Sequence, residues 1–155
     1  GYTSCALSAL KLLNKVDELS VIEQEKTLQW LIDKQVSREE CSEKQDISNE
    51  YYNFDDHGGF QGRENKSADT CYAFWCVNSI CILNSNLRTV LDVSRVKGYL
   101  LKRTQNQLTG GFSKCYKEEA DLYHTCLGIA ALKLMEGNFN GVLCIPTQVA
   151  KEFDL

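Results

Sequence analysis

Apolar side chains crowd the first stretch of the chain. Cys5, Leu7, Ala9, Leu10, Leu12, Leu13 and Val16 lie too densely over residues 3–16 for one narrow stripe, and the spacing predicts a helix buried on most sides. Ser20, with Glu23 three positions on, has the capping-box spacing. It opens a second helix, about 21–36, carrying Val21, Ile22, Leu28, Trp30, Leu31, Ile32 and Val36. Residues 37–56 are polar and acidic and read as a solvated surface loop inserted between elements. A glycine turn at Gly58-Gly59-Phe60 then leads into an aromatic, apolar helix that runs through Val77, Ile80, Ile82 and Leu83 to Asn84. Residues 87–104 and 121–135 predict two more helices, the last ended by Gly137, Asn138, Asn140 and Gly141, and the tail with Pro146 closes the chain. No segment sustains the period-two alternation of a half-buried strand, so the pattern is all-α.

The pattern repeats. Gly-Gly-Phe at 58–60 returns at 110–112, and the same shift of 52 carries Asp69 onto Asp121. DTCYAFWCVNSICIL and DLYHTCLGIAALKLM then align as buried helices, and Ala9–Leu13 echoes Ala131–Met135 as a third, truncated copy. The helix before each Gly-Gly turn completes a pair, with Trp30 opposite Tyr99. Helix pairs recurring at about 50 residues predict a solenoid or a closed toroid.

Composition narrows the function classes. The chain has 155 residues, one domain's worth, and its net charge of −4 sets up no basic field for nucleic acid. No apolar run approaches the roughly 20 residues of a membrane span, and the opening Gly1-Tyr2-Thr3-Ser4-Cys5 lacks the basic flank of a signal peptide. Most of the eight cysteines sit inside apolar helical segments, where thiols pack as small hydrophobes. That usage fits a reducing, cytoplasmic setting, with one or two thiols kept for chemistry.

Two kinds of chemistry meet after the first Gly-Gly turn. Asp69-x-Cys71 alone reads as a helix N-cap and a core thiol. The repeat, however, places Asp121 and His124 at the same end of the neighbouring helix pair. Asp69, Cys71 and His124 can therefore converge as three ligands with a fourth position open, the arrangement of a catalytic zinc site. The alternative is a capped helix beside a hydrogen-bonded histidine. Arg63 and Lys66 flank Asn65 in a turn that leads to a helix N-terminus, where anions are favoured, and Lys114 follows the second Gly-Gly-Phe. Three cations beside one metal suit a diphosphate leaving group; the alternative for each is an ordinary solvated charge. Tyr72, Phe74, Trp75, Tyr123 and Cys5 offer an aromatic wall for an apolar chain, or simply core packing.

GGFQGRENKSADTCYAFW and GGFSKCYKEEADLYHTCLGIAALKLM closely resemble the two C-terminal signature blocks of protein prenyltransferase β subunits. The opening GYTSC is similar to the end of the family's His-Gly-Gly-Tyr-Thr-x-Cys segment. The resemblance implies an α–α toroid, or barrel, of the (α/α)6 type built of repeated helical hairpins, with this chain supplying a C-terminal portion. It implies zinc on Asp69, Cys71 and His124, and diphosphate contacts from Arg63, Lys66 and Tyr72. It also implies Gly1, Tyr2, Cys5 and Trp75 beside the isoprenoid, Tyr123 beside the peptide, and pairing with an α subunit.

Within the family, farnesyl and Rab-type enzymes resemble one another in an aspartate ten residues before the zinc histidine, serving magnesium. Type I geranylgeranyltransferases place a lysine there instead. Lys114 stands ten residues before His124, so the resemblance implies a type I, fungal-like subunit with no magnesium requirement. Its substrates would be geranylgeranyl diphosphate and C-a-a-X proteins such as Rho-type small GTPases. Tyr123 and the wording GGFQGR look more like farnesyltransferase, the nearest rival. A non-catalytic helical toroid that binds a protein partner is the rival from another class. A terpene cyclase would need an Asp-rich run that is absent here.

Overall fold

The computed structural model describes residues 1–36, 54–64, 66–84 and 86–152. Most of the polar insertion, residues 37–53, and Asn65 therefore lie outside the described residues. Helix α1 (Tyr2–Leu12) and helix α2 (Val21–Ile32) are joined through a 3-10 turn at Val16–Glu18. The capping box opens α2 as the sequence predicts: Glu23 N–H donates to Ser20 Oγ, and the Glu23 carboxylate accepts from Ser20 N–H at 2.9 Å. The helix ends at Ile32 and not near 36. Lys34 to Val36 instead pair with the glycine turn, Val36 N–H donating to Gly59 O and Gly58 N–H to Val36 O, each at 2.9 Å.

Helix α3 (Thr70–Leu83) is the centre of the fold. Ala73, Phe74, Val77, Asn78, Ser79 and Ile80 are all buried, as befits a helix apolar on every side. It packs between α1 and α6 (Leu122–Met135), with α2 behind. Asn78 Nδ2 donates to Ser4 Oγ at 3.0 Å and Ser8 Oγ at 3.2 Å, tying α3 to α1. Gly128 lets α6 lie close to Phe112 and Thr70, since a Cβ there would come within 2.9 Å of the Phe112 ring.

The repeat is visible in the backbone. Asp69 N–H donates to Phe60 O at 3.0 Å, and Gln61 bridges Ala68. The same register returns as a two-residue strand pair, β1 (Phe112–Ser113) with β2 (Ala120–Asp121), pairing Phe112 with Asp121 and Ser113 with Ala120. Gln35 bridges Phe60 just as Gln105 bridges Phe112, so each repeat closes on a buried phenylalanine. The fold is a partial α–α toroid of helical hairpins, one of the two architectures the periodicity allows and the one the resemblance implies.

Several expectations are corrected. The helix expected at 87–104 is broken into α4 (Leu87–Val90) and α5 (Val93–Tyr99), followed by a wider π-helical turn at Leu100–Thr104. The backbone leaves helical geometry at Leu91 and Asp92, and Asp92 caps the new helix by accepting from Arg95 N–H at 3.1 Å. Helix α1 buries Ser4 and Leu7 only, because its partner is α3 on one side; Leu12 and Leu13 are exposed. Asp56, assigned to the solvated loop, is buried in a 3-10 turn (Phe54–Asp56) and accepts from Ala68 N–H at 3.0 Å. The tail forms a small pair, β3 (Phe139–Asn140) with β4 (Ile145–Pro146), and then helix α7 (Thr147–Glu152).

Candidate metal centre

Two helix starts build the site. Asp69 caps α3, its Oδ1 accepting from Cys71 N–H at 2.8 Å, and this fixes the carboxylate beside the Cys71 thiol. Asp121 caps α6 in the same way, accepting from His124 N–H at 2.8 Å. Its other oxygen lies 2.6 Å from His124 Nδ1. In the tautomer with its proton on Nδ1, facing that carboxylate, the Nε2 lone pair is available to a metal, and Nε2 lies 3.3 Å from Asp69 Oδ1. The two caps are stitched together where they meet: Thr70 N–H donates to Lys114 O at 2.8 Å, and Thr70 Oγ1 to Ser113 O at 2.7 Å.

One oxygen, one sulfur and one nitrogen thus come within 4.8 Å of one another from Asp69, Cys71 and His124. Burial, and then the Asp69 carboxylate, push the Cys71 thiol up to about 12. A carboxylate, a thiol and an imidazole facing one another make a mixed oxygen, sulfur and nitrogen donor set of the kind that binds a divalent metal. The set fits zinc: three mixed ligands closing by roughly 1 Å would reach the donor spacing of a tetrahedral site. Tyr123 lies in reach of the Cys71 thiol on one side and of Trp75 on the other. The Tyr123 ring stands edge-on to His124, 5.0 Å between centroids. Asp121 as the partner of His124 is a role that the sequence reading missed. Its signal was a capping carboxylate three residues before a histidine.

The other expected residues divide. Gly62 lies flat against the Tyr72 ring, where any Cβ would overlap it. Arg63 is exposed beside Tyr72, Lys66 is half-buried, and Lys114 is exposed next to the stitched turn. The helix N-terminus is not an anion cradle, because Asp69 and Lys114 O already take the Cys71 and Thr70 N–H groups. Anion binding would therefore rest on side chains. Gly1, Trp30, Lys34, Gly62, Tyr72 and Trp75 line a small crevice open to solvent. Cys5 and Tyr2, which is 96% exposed, stand outside it on α1. Phe74 belongs to the core, stacked edge-on against Trp75 at 5.1 Å and Phe139 at 6.4 Å, and forms no wall. Among the described residues every cysteine is a free thiol, and no helix is long and apolar enough to cross a membrane.

Residues 1–151 match the prenyltransferase alpha-alpha toroid domain. The chain belongs to that family, the one its two motif blocks resemble. Among its relatives is the geranylgeranyl transferase type-1 subunit beta of Arabidopsis thaliana, 28% identical over 93% of this chain and 34% of that protein. The geranylgeranyl transferase type-2 subunit beta of Saccharomyces cerevisiae is also 28% identical, over 95% of this chain and 40% of that one. The solved Candida albicans protein geranylgeranyltransferase-I complexed with GGPP superposes with a TM-score of 0.84 at 36% identity, over 97% of this chain and 41% of that one. The chain therefore spans between a third and about two fifths of the length of these relatives.

Proposed function

We propose that this chain is the metal-bearing part of a protein prenyltransferase β subunit of the type I class. The reaction is transfer of a geranylgeranyl group from its diphosphate to the cysteine of a C-terminal C-a-a-X motif. The observation that carries the reading is the convergence of Asp69, Cys71 and His124 from two consecutive repeats, beside a cationic turn. Similarity to geranylgeranyl transferase β subunits supports it.

Asp69, Cys71 and His124 would hold zinc, and Asp121 orients the imidazole. When bound, zinc supplies the Lewis acidity that keeps a cysteine sulfur as thiolate near neutral pH. The substrate thiol loses its proton to solvent, its sulfur forms a bond to C1 of the isoprenoid, and the C1–O bond breaks with its electron pair leaving on diphosphate. Arg63, Lys66, Tyr72 and Lys114 are the groups that would receive that charge, and removing one such donor typically costs about 10²–10³ in kcat. Trp75 and Gly1 would border the isoprenoid in the crevice, with Tyr2 and Cys5 further along α1. Tyr123 would face the peptide. The active species would be a heterodimer with a prenyltransferase α subunit, acting in the cytoplasm on proteins such as Rho-type small GTPases.

Lys114 favours type I, because an ammonium there stands where the sister enzymes place a magnesium-binding aspartate. Tyr123 beside His124 favours the farnesyl alternative.

The test uses the full-length subunit with its α partner. Elemental analysis should find stoichiometric zinc, and radiolabelled geranylgeranyl diphosphate should outcompete farnesyl diphosphate. Cys71→Ala and His124→Ala should each lose zinc and transfer while keeping helical circular dichroism. Full zinc and activity in either variant would refute the ligand assignment, and a wild type devoid of zinc would point to a binding toroid. Lys114→Asp should create a magnesium requirement; unchanged metal dependence would remove the argument for type I.

A further inference from the structure

Lys34 is a cation that the chemistry above does not use, and it is the most deeply buried charged side chain bordering the crevice. Its side chain is only 5% exposed, and burying an ammonium is costly unless it is paired. Its contacts show where the compensation comes from. Nζ lies 3.7 Å from Glu64 Oε1 and 4.9 Å from the centroid of the Trp30 ring. Its backbone carbonyl accepts from Gln61 N–H at 2.9 Å. Gln61 and Glu64 are the two ends of the turn Gln61-Gly62-Arg63-Glu64. Lys34 therefore grips that turn at both ends, through main chain at one and through charge at the other.

Between the two grips, Gly62 is pressed against the Tyr72 ring and Arg63 projects into solvent. The Glu64 side chain is 86% exposed and has no packing of its own to hold it. Arg63 follows a glycine, the most permissive residue of the backbone. Among the described residues the Gln61–Ala68 bridge holds the start of the turn, and the two links to Lys34 hold both its ends in register with Tyr72. This role also explains a lysine at this place. Its long stem crosses the crevice wall beside Trp30, and its head meets a carboxylate at the mouth.

We propose that Lys34 is a positioning residue for the anion-binding end of the site. Through Glu64 it clamps the 61–64 turn, so that Arg63 stands beside the Tyr72 hydroxyl, and it does not itself touch the ligand. The inference rests on the diphosphate reading given above. Losing the clamp lets the turn swing about Gly62. Arg63 keeps its charge and loses its place.

The experiment measures inorganic pyrophosphate binding by calorimetry in the full-length, zinc-loaded heterodimer. Lys34→Met and Glu64→Gln should each weaken pyrophosphate by about tenfold, with zinc content unchanged, and the double variant should be no worse than either single one, the signature of one shared interaction. Lys34→Arg, which keeps the ion pair, should restore wild-type affinity. Wild-type affinity in Glu64→Gln, or losses that multiply in the double variant, would overturn the clamp. Should Lys34→Met fail to fold, Glu64→Gln and Lys34→Arg still decide, since Glu64 lies at the surface. A wild-type enzyme whose pyrophosphate binding ignores Arg63→Gln would sink the diphosphate reading itself. Arg63-dependent binding with an indifferent Glu64 would sink only the clamp.

Discussion

Asp56 shows how much a single carboxylate can depend on where the chain folds over it. Burial is the main reason that it is raised to about 6, opposed by the Ala68 N–H bond and reinforced by the neighbouring Asp55 charge. A carboxyl raised above its ordinary value of 3.8 binds its proton more tightly in the folded protein. Its contribution to stability is therefore complete below about pH 4 and is lost as pH rises through 6. Asp56→Asn keeps an acceptor for Ala68 N–H and removes the titration. Urea midpoints of the full-length protein should fall between pH 4 and 6.5 for the wild type and stay flatter for the variant. Parallel curves would show that Asp56 is not the group responsible. Asp121 illustrates the opposite case: it is held below the usual carboxylate range by the His124 N–H and ring, and so stays charged as an orienting partner.

The elements that the sequence disclosed are those whose cause is local. Ser20 and Glu23 are three residues apart, and the box they form is the one in the structure. Asp69 and Asp121 declared themselves as caps, and the shift of 52 between them located His124 opposite Cys71. The break in 87–104 was also local, in Asp92 just ahead of Val93-Ser94-Arg95, but the run of apolar residues on both sides masked it. Lys34, Asp56 and Phe74 were not legible. The first two pair with residues 12 and 30 positions away, and a phenylalanine in an apolar helix carries no mark of which side faces the core. At the polar insertion, Val36, Gly58 and Gly59 form a hydrogen-bonded stem at its base. Replacing residues 38–52 by a short Gly-Ser linker should accordingly leave zinc content and thermal midpoint near wild type. Loss of zinc in that variant would mean that the insertion supports the site.

Across the whole molecule, packing is one-sided. Helix α3 is sealed between α1 and α6, while Leu12, Leu13, Val21 and Ile22 stand exposed around the α1–α2 connection. Apolar groups gathered in this way mark contact surfaces or association liabilities. The 155-residue chain on its own is expected to self-associate at micromolar concentration, read by sedimentation velocity; a clean monomer would show these faces to be innocuous. The hydrogen bond from Thr70 N–H to Lys114 O joins one repeat to the next at the very point where the three donors meet. The separation of Cys71 from His124 is therefore set by the pitch between adjacent hairpins, and the site acts as a gauge of that pitch. If the three donors hold zinc as proposed, a perturbation that eased the α3–α6 seam by an ångström would register first as impaired chelation, well before any helix melted.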